Sequence, residues 1–262
     1  MGHLDRVPVI AASSLALHPR PPEEVLSWAA EAGFSGVEIL CEPPWHPGGW
    51  GRERRRRVRK LSQSLSLSLH APIADLNLMS PHPRVRELAA TELSQTICLA
   101  EEVGASHVTF HLGYRPGVGL PGEPPWEAAR EALKAVLSQA RARGVTLCLE
   151  NDPPFPGAYL AQLPRWQAFL EEVGLSGTLD LGHAWLAQGK ESLKGIPPQV
   201  EVVHLHDNRG GGDEHLAPGE GEIPWGQLLP RLNRVRVWVL EVKDIQGLAS
   251  SRWWLAELRR GI

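Results

Sequence analysis

The feature that most restricts the fold of this chain is a regular alternation of two kinds of segment along its 262 residues. Short runs rich in β-branched and aliphatic residues alternate with longer amphipathic segments, several of which open with proline and close at glycine. Repeated βα units produce this pattern, because a helical crossover returns each strand parallel to the previous one. The pattern predicts eight strands: Val7–Ser13, Gly36–Leu40, Leu65–His70, His107–Leu112, Val145–Glu150, Gly177–Leu181, Val200–His206 and Val235–Val242.

Eight such units in a chain of this length predict a closed (β/α)8 barrel, the TIM barrel, as a single α/β domain over residues 1–262. No linker or internal repeat interrupts the alternation. The two longest irregular stretches, Leu40–Gly51 and Asn208–Pro224, each follow a predicted strand. Loops that lead from a strand into a helix carry the active sites of barrels. We therefore expect the functional residues at the C-terminal ends of the strands.

Six predicted strands finish with a side chain that can bind a metal ion. These residues are His70, His111, Glu150, Asp180, His206 and Glu241. One such residue is more often a cap or a satisfied buried polar group, but a closed barrel brings all its strand ends around one mouth. Residues of the same parity as the six are largely small or polar, such as Ser68 and Thr109, whereas their neighbours Leu69 and Phe110 suit packing under outer helices. The pattern predicts a metal site.

Three further candidate ligands follow the sixth and seventh predicted strands. His183 lies three residues beyond Asp180, and Asp213 and His215 lie two residues apart in a glycine-rich stretch. Two residues apart in an extended loop point their side chains the same way. A mixture of imidazole and carboxylate ligands suits Zn²⁺, Mn²⁺ or a similar divalent ion better than Ca²⁺, which prefers oxygen ligands.

Several motifs make the whole chain resemble the xylose isomerase-like TIM barrel superfamily. The stretch HAPIADLNLMSPHPRVRELAATELSQTICLAEEVGASHVTFHLG is similar to the third and fourth βα units of endonuclease IV and of many sugar-phosphate isomerase and epimerase relatives. The segments DLGHA, HLHDN and D-x-H-x-x-P-G-E-G complete the likeness. The resemblance implies a metal-dependent enzyme that binds one to three ions of Zn²⁺ or Mn²⁺.

The resemblance also implies sets of ligands. A three-zinc site like that of endonuclease IV would use His70, His111 and Glu150 for one ion, Glu150, Asp180, His206 and Glu241 for a second, and His183, Asp213 and His215 for a third. The smaller site of ketose 3-epimerases would use the second set alone. In an isomerase or epimerase, Glu150 and Glu241 would also be the catalytic acid and base. The residue types leave the number of ions open.

Two enzyme classes fit this mouth, and we expect the first. A sugar or sugar-phosphate isomerase or epimerase would use a metal to polarise the substrate and a carboxylate to remove a proton. An abasic-site phosphodiesterase would use a metal cluster and would also need cationic groups to grip the phosphate backbone. The formal net charge of −3, an opening unlike the GAHVS of endonuclease IV, and FHLG where that family has proline after the histidine all disfavour nucleic acid as a partner. A barrel that binds metal and a polyol without turnover is a third possibility.

The basic run Arg52–Lys60 is the feature that most favours a nucleic-acid partner. We interpret it as the solvated face of the second outer helix, because charge runs on peripheral helices are common. The alternatives are a nucleic-acid contact and an anchor for a phosphorylated substrate or an acidic partner.

Cysteine usage and hydropathy bear on the compartment. The three cysteines are far apart and odd in number, so they predict no disulfide framework and a reducing, cytoplasmic setting. The first residues lack the apolar core of a signal peptide, and no apolar run approaches the roughly 20 residues that span a bilayer. We therefore expect a soluble protein without a membrane partner, and the oligomeric state stays open.

Overall fold

The computed structural model describes residues 8–115, 123–193 and 195–260. Within them, parallel strands pair in chain order, and the first strand pairs with the eighth to close a barrel. The strands are β1 (Val9–Ser13), β2 (Gly36–Leu40), β3 (Ser66–His70), β4 (His107–Phe110), β5 (Thr146–Glu150), β6 (Ser176–Asp180), β7 (Val200–Leu205) and β8 (Val237–Leu240). The predicted (β/α)8 TIM barrel is confirmed. The predicted start of the first strand, Val7, lies outside the described residues.

Helices follow the strands around the outside of the barrel. They are α1 (Pro22–Glu31), α2 (Arg52–Leu61), α3 (Pro83–Val103), α4 (Trp126–Ala142), α5 (Leu163–Val173), α6 (Leu181–Gln188), α7 (Trp225–Leu228) and α8 (Ile245–Arg260). The stop signals in the sequence correspond to the structure at α3, which begins at Pro83 and ends before Gly104. Gly104 has φ +79°, a left-handed conformation that glycine adopts without a steric penalty.

The observed strands end earlier than predicted at the mouth of the barrel. β4 ends at Phe110, β7 at Leu205 and β8 at Leu240, so His111, His206 and Glu241 each lie one residue beyond a strand. His70, Glu150 and Asp180 are the last residues of their strands. The apolar pattern runs past the end of hydrogen-bonded pairing because the next residues are still buried against the barrel mouth.

The strand residues divide between two cores according to their parity. Outward-facing side chains such as Leu69 and Phe110 join the large core between the barrel and the helices. The interior holds a separate small cluster, formed by Ala11, Cys148, Val202, Val237 and Val239. Its small side chains suit the confined centre of a barrel. The polar residues of the same parity lie in the interior on the side of the strand ends, which puts them beneath the mouth.

In the part of the chain that the structure describes, no helix is both long enough and apolar enough to cross a membrane.

Candidate metal centre

The C-terminal ends of the strands surround a cavity of about 250 Å³. Seven of the nine predicted ligands line it: His70, His111, Glu150, His183, Asp213, His215 and Glu241. The other two, Asp180 and His206, do not line the cavity and are fully buried. The potential ligand atoms fall into three groups, and within each group they lie within 4.8 Å of one another.

Group A consists of His70, His111 and Glu150. Oε2 of Glu150 lies 3.1 Å from Nε2 of His70 and 3.3 Å from Nε2 of His111. The other ring nitrogen of His70, Nδ1, lies 2.8 Å from the carbonyl oxygen of Ala71. Nδ1 of His111 lies 3.2 Å from Oδ1 of Asp152. These acceptors favour a proton on Nδ1, which leaves the Nε2 lone pair of both rings directed at one point beside Glu150.

Group B consists of Glu150, Asp180, His204 and Glu241. Nδ1 of His204 lies 3.1 Å from Oε2 of Glu241, 3.3 Å from Oε1 of Glu150 and 3.9 Å from Oδ2 of Asp180. Despite these short distances, Nδ1 of His204 and Oδ2 of Asp180 are buried without a hydrogen bond. Buried polar atoms without a partner are costly. A divalent cation held by the four side chains would satisfy both atoms, so the residues fit a metal.

Group C consists of His183, His206, Asp213 and His215. Oδ2 of Asp213 lies 3.2 Å from Nε2 of His183 and 3.1 Å from Nε2 of His215. The Nδ1 atoms of these two rings face backbone carbonyl oxygens, that of Asn151 at 2.9 Å and that of Glu241 at 2.8 Å. Both rings therefore have the orientation seen in group A, with Nε2 directed at a carboxylate of the group.

His206 connects group C to group B. Its Nε2 lies 3.1 Å from Oδ1 of Asp180 and 3.6 Å from Oδ1 of Asp213. Its ring stacks on that of His215, with centroids 4.1 Å apart. The same Oδ1 of Asp180 accepts a hydrogen bond of 2.7 Å from the backbone N–H of His183 and caps the N-terminus of α6. Asp180 therefore orients residues of both groups.

The structure differs from the ligand set implied by the resemblance at one histidine. It brings His204, not His206, to Glu150, Asp180 and Glu241, and it places His206 in group C. The strand register explains the difference, because Asp180 pairs with His204 across β6 and β7 after an irregularity at Gly177 and Thr178. The two histidines of HLHDN are separated by two positions, so their parity is the same. The sequence alone does not say which of them lies level with Asp180.

Asp207 positions the loop that carries Asp213 and His215. Its carboxylate is fully buried and accepts hydrogen bonds from four N–H groups, those of Asn208, Gly219, Ile223 and the Trp225 indole. A backbone bridge between Asp207 and Leu216 adds two further hydrogen bonds. His215 itself has φ +50°, a left-handed conformation that a non-glycine residue keeps only when its surroundings hold it. These bonds therefore hold the loop that carries the two candidate ligands.

Two carboxylates, Asp213 of group C and Asp180 of group B, change the protonation of the imidazoles in group C. Burial lowers the pKa of His183, but the charge of Asp180 and the hydrogen bond to Asp213 outweigh burial and raise this pKa to about 9. Burial also lowers the pKa of His215, and the hydrogen bond to Asp213 raises it to about 10. Both rings are therefore cationic at neutral pH in the metal-free protein.

Two carboxylates of group B, Glu150 and Glu241, are held in the charged form. Burial raises the pKa of Glu241, but the charge of His204 and its contact with this carboxylate lower that pKa to about 2. Burial also raises the pKa of Glu150, but the charges of His204 and His111 outweigh burial and hold this pKa well below its usual range. Both carboxylates are therefore available as ligands or as bases at neutral pH.

The rest of the cavity wall is mostly apolar, with Asp152 as its charged member. Its apolar side chains include Leu15, Leu40, Ile73, Leu76, Tyr114 and Phe155. Ile73 and Phe155 are among the large apolar residues that are exposed, at 39% and 42%. Among the described residues, no lysine or arginine lines this cavity. Within the part of the chain that the structure describes, the mouth therefore offers apolar surface and candidate metal ligands, and no lysine or arginine for a phosphate group.

The basic run forms α2, and its charges are directed away from the cavity. Only Val58 of this helix is buried. Arg54 pairs with Glu23 and Arg55 with Glu102, both on neighbouring helices. This geometry supports the interpretation of the run as the solvated face of an outer helix.

Comparison with known proteins agrees with the class that this barrel and its ligand groups define. The chain belongs to the xylose isomerase-like TIM barrel family, whose model matches residues 26–260. It is 28% identical over 221 residues to an L-ribulose 3-epimerase of Mesorhizobium japonicum, covering 81% of this chain and 71% of the relative. A crystal structure of a D-tagatose 3-epimerase-like protein is 27% identical, with a TM-score of 0.81 over 96% of this chain and 97% of that one. A Thermus thermophilus protein soaked with ZnCl₂ is 28% identical, with a TM-score of 0.69 over 95% and 97%.

Proposed function

We propose that this protein is a divalent-metal-dependent sugar isomerase or epimerase whose substrate is an unphosphorylated ketose or aldose. One observation carries the proposal: two carboxylates of group B, Glu150 and Glu241, both line the cavity and are held in the charged form. The epimerase relatives support the substrate class. The absence of lysine and arginine from the described cavity wall favours a neutral sugar over a sugar phosphate.

The ligand groups specify how the reaction would be assisted. Group B would hold Zn²⁺ or Mn²⁺, which supplies Lewis acidity that lowers the pKa of the C–H beside a sugar carbonyl. In this proposal one of the two carboxylates removes that proton and the other returns a proton to the same or the neighbouring carbon. Asp180 and His204 have no access to the cavity, so they hold their positions and leave the proton transfer to Glu150 and Glu241.

The apolar wall would bind the remainder of the sugar and exclude water. The aromatic and aliphatic residues facing the ligand groups suit the C–H face of a sugar ring or chain. Exclusion of water strengthens the charge interactions on which proton transfer depends.

The test is turnover by purified protein reconstituted with Zn²⁺ or Mn²⁺ in D₂O. A panel of tetroses to hexoses and their phosphates is incubated, and products are separated by chromatography and examined for deuterium. We expect an epimer or aldose–ketose partner with deuterium at the reacting carbon, and loss of at least about 100-fold in kcat for Glu241→Gln. The matched control is Glu201→Gln, an exposed carboxylate of β7 outside the cavity, which should retain full activity. Sugar binding without any product in metal-replete protein would show a binding protein instead.

A second candidate function is phosphodiester cleavage at an abasic site, which the presence of three ligand groups favours. A cluster of ions can stabilise both the attacking and the leaving oxygen of a phosphodiester. EDTA-sensitive incision of abasic duplex DNA at physiological salt, with no turnover of any sugar, would establish this function and reject the isomerase.

A further inference from the structure

Glu38 is a buried carboxylate of β2 that lies inside the barrel beneath the metal groups and is only 1% exposed. Its Oε2 accepts hydrogen bonds from the hydroxyls of Ser68, at 3.1 Å, and Thr109, at 3.3 Å. Its Oε1 lies 3.0 Å from Nε2 of His204, but the two atoms do not have hydrogen-bond geometry in this structure, and both are buried without a partner. Its described contacts include no lysine or arginine. A carboxylate in such a place is costly unless nearby groups compensate it. The two hydroxyls donate to Oε2, and His204 is the imidazole that lies beside Oε1.

His204 is turned the opposite way from the other imidazoles that face the mouth. His70, His183 and His215 direct Nδ1 to a backbone carbonyl oxygen and Nε2 to the ligand groups. In His204, Nδ1 faces the carboxylates of group B and Nε2 faces Glu38. Glu38 therefore occupies, for His204, the place that a carbonyl oxygen occupies for the other three.

We propose that Glu38 is a positioning residue for the metal in group B: with an ion at Nδ1 of His204, the adjacent Glu38 carboxylate would accept the Nε2 proton and keep the Nδ1 lone pair directed at the ion. The inference depends on metal binding in group B, which is part of the proposed function, and it is independent of the substrate. Partners of this kind orient a ligating histidine, and their loss typically weakens metal affinity by about 10-fold to 100-fold.

Two substitutions separate positioning from a purely structural role. Glu38→Leu removes the acceptor at nearly constant size, but loss of one partner from a buried polar group destabilises a fold, so the unfolding free energy of this variant is measured beside its metal affinity. Glu38→Gln keeps an oxygen that can accept the Nε2 proton. We expect Zn²⁺ affinity in group B, measured by competition with a chelator, to fall by at least about 10-fold in Glu38→Leu and by no more than about threefold in Glu38→Gln. Ser68→Ala, which removes another contact of Glu38, is the matched control and should change affinity by less than about twofold.

The wild-type protein provides an independent measurement that needs no stable variant. Long-range ¹⁵N–¹H NMR of histidine-labelled, Zn²⁺-loaded protein reports which nitrogen of each ring carries the proton, and the His204 signals are assigned by their loss in His204→Ala. We expect a protonated Nε2 and a metal-bound Nδ1 for His204. A metal-bound Nε2, or equal Zn²⁺ affinity in Glu38→Leu and wild type, would overturn the proposal. Neither measurement uses sugar turnover, so a failure of the isomerase assay leaves this result distinct.

Discussion

Gly182, the second residue of α6, provides a sharp test of the geometry around His206. A Cβ atom built at this position would meet Cε1 of the His206 ring at 2.0 Å and Nε2 at 2.4 Å, and the three nearest atoms all belong to that ring. An ordinary contact begins near 3.4 Å, so the ring must move by about 1.4 Å, which is 3.4 minus 2.0. His206 is fully buried and stacked on His215, so the ring has little room to move.

Two opposite effects follow from Gly182→Ala. Alanine in place of glycine in a helix is worth at most about 1 kcal/mol in favour of folding. Insertion of a methyl group into a packed interior costs about 1–3 kcal/mol, and this close a contact belongs at the upper end. We expect the steric cost of the methyl group to exceed the gain in helix propensity. The net decrease in the free energy of unfolding should be about 1–2 kcal/mol, which corresponds to a decrease of about 2–8 °C in Tm for a chain of this size.

The assay is urea and thermal unfolding of EDTA-treated protein, with metal content measured separately after reconstitution. The matched control is the same substitution in a His206→Ala background, where the obstructing ring is absent. There Gly182→Ala should be neutral or stabilising by up to about 1 kcal/mol, because only the helix propensity remains. The coupling energy between the two sites should therefore exceed about 1 kcal/mol. Equal effects in both backgrounds would refute the placement of His206 against α6.

Three further predictions concern the thiols, the loop after β7 and the ligand protons. Only Cys98 should react with Ellman's reagent in native protein, because Cys41 and Cys148 are fully buried and burial raises the pKa of their thiols. Reaction of more than one thiol per chain before denaturation would contradict this prediction. Asp207→Asn should lower the free energy of unfolding in urea by about 2–4 kcal/mol, because the asparagine N–H₂ group cannot accept hydrogen bonds from the N–H groups of Gly219 and the Trp225 indole. A decrease below about 1 kcal/mol would count against the loop geometry. At pH 7.5 Zn²⁺ binding to group C should release about two protons, since the pKa values of its two raised imidazoles are about 9 and 10 and ligation needs neutral rings. The affinity of group C for Zn²⁺ should accordingly increase with pH up to about pH 10. Calorimetry in buffers of different ionisation enthalpy measures the number of protons released on Zn²⁺ binding, and His215→Ala should release one proton fewer than wild type. Release of no protons by the wild-type protein would exclude the cationic rings.

The sequence was sufficient to predict the barrel and the place of most of the candidate ligands at its mouth, for identifiable reasons. The alternation of apolar strands with amphipathic helices leaves few folds, and a closed barrel brings His70, Glu150 and Asp180 together once their strands are placed. Strand parity correctly separated the interior from the outer core. These inferences depend only on periodicity and topology.

The details that the sequence did not reveal depend on register and on loop conformation. The choice of His204 over His206 depends on which residue of β7 pairs with Asp180, and the irregularity at Gly177 has no strong sequence signal. The sequence did contain a signal for Glu38 as a buried carboxylate, because this charged residue stands between Val37 and Ile39 in an otherwise apolar strand. The bonds from Asp207 that shape the next loop connect residues up to 18 positions apart, and no local pattern predicts them.

The sharing of Glu150 between groups A and B determines how the number of ions could be altered by protein engineering. Groups A and B are linked through one carboxylate of β5, so neither can be rebuilt without affecting the other. Two ligands of group C, Asp213 and His215, come from a single loop. Grafting a different segment in place of Asn208–Pro224 would therefore replace these two side chains of group C together, while His183, His206, the eight strands and the shared carboxylate remain as they are. The loop after β7 can therefore be exchanged with less effect on the other groups than a change at Glu150 would have. Engineering that aims to change the chemistry of this barrel should begin with that loop.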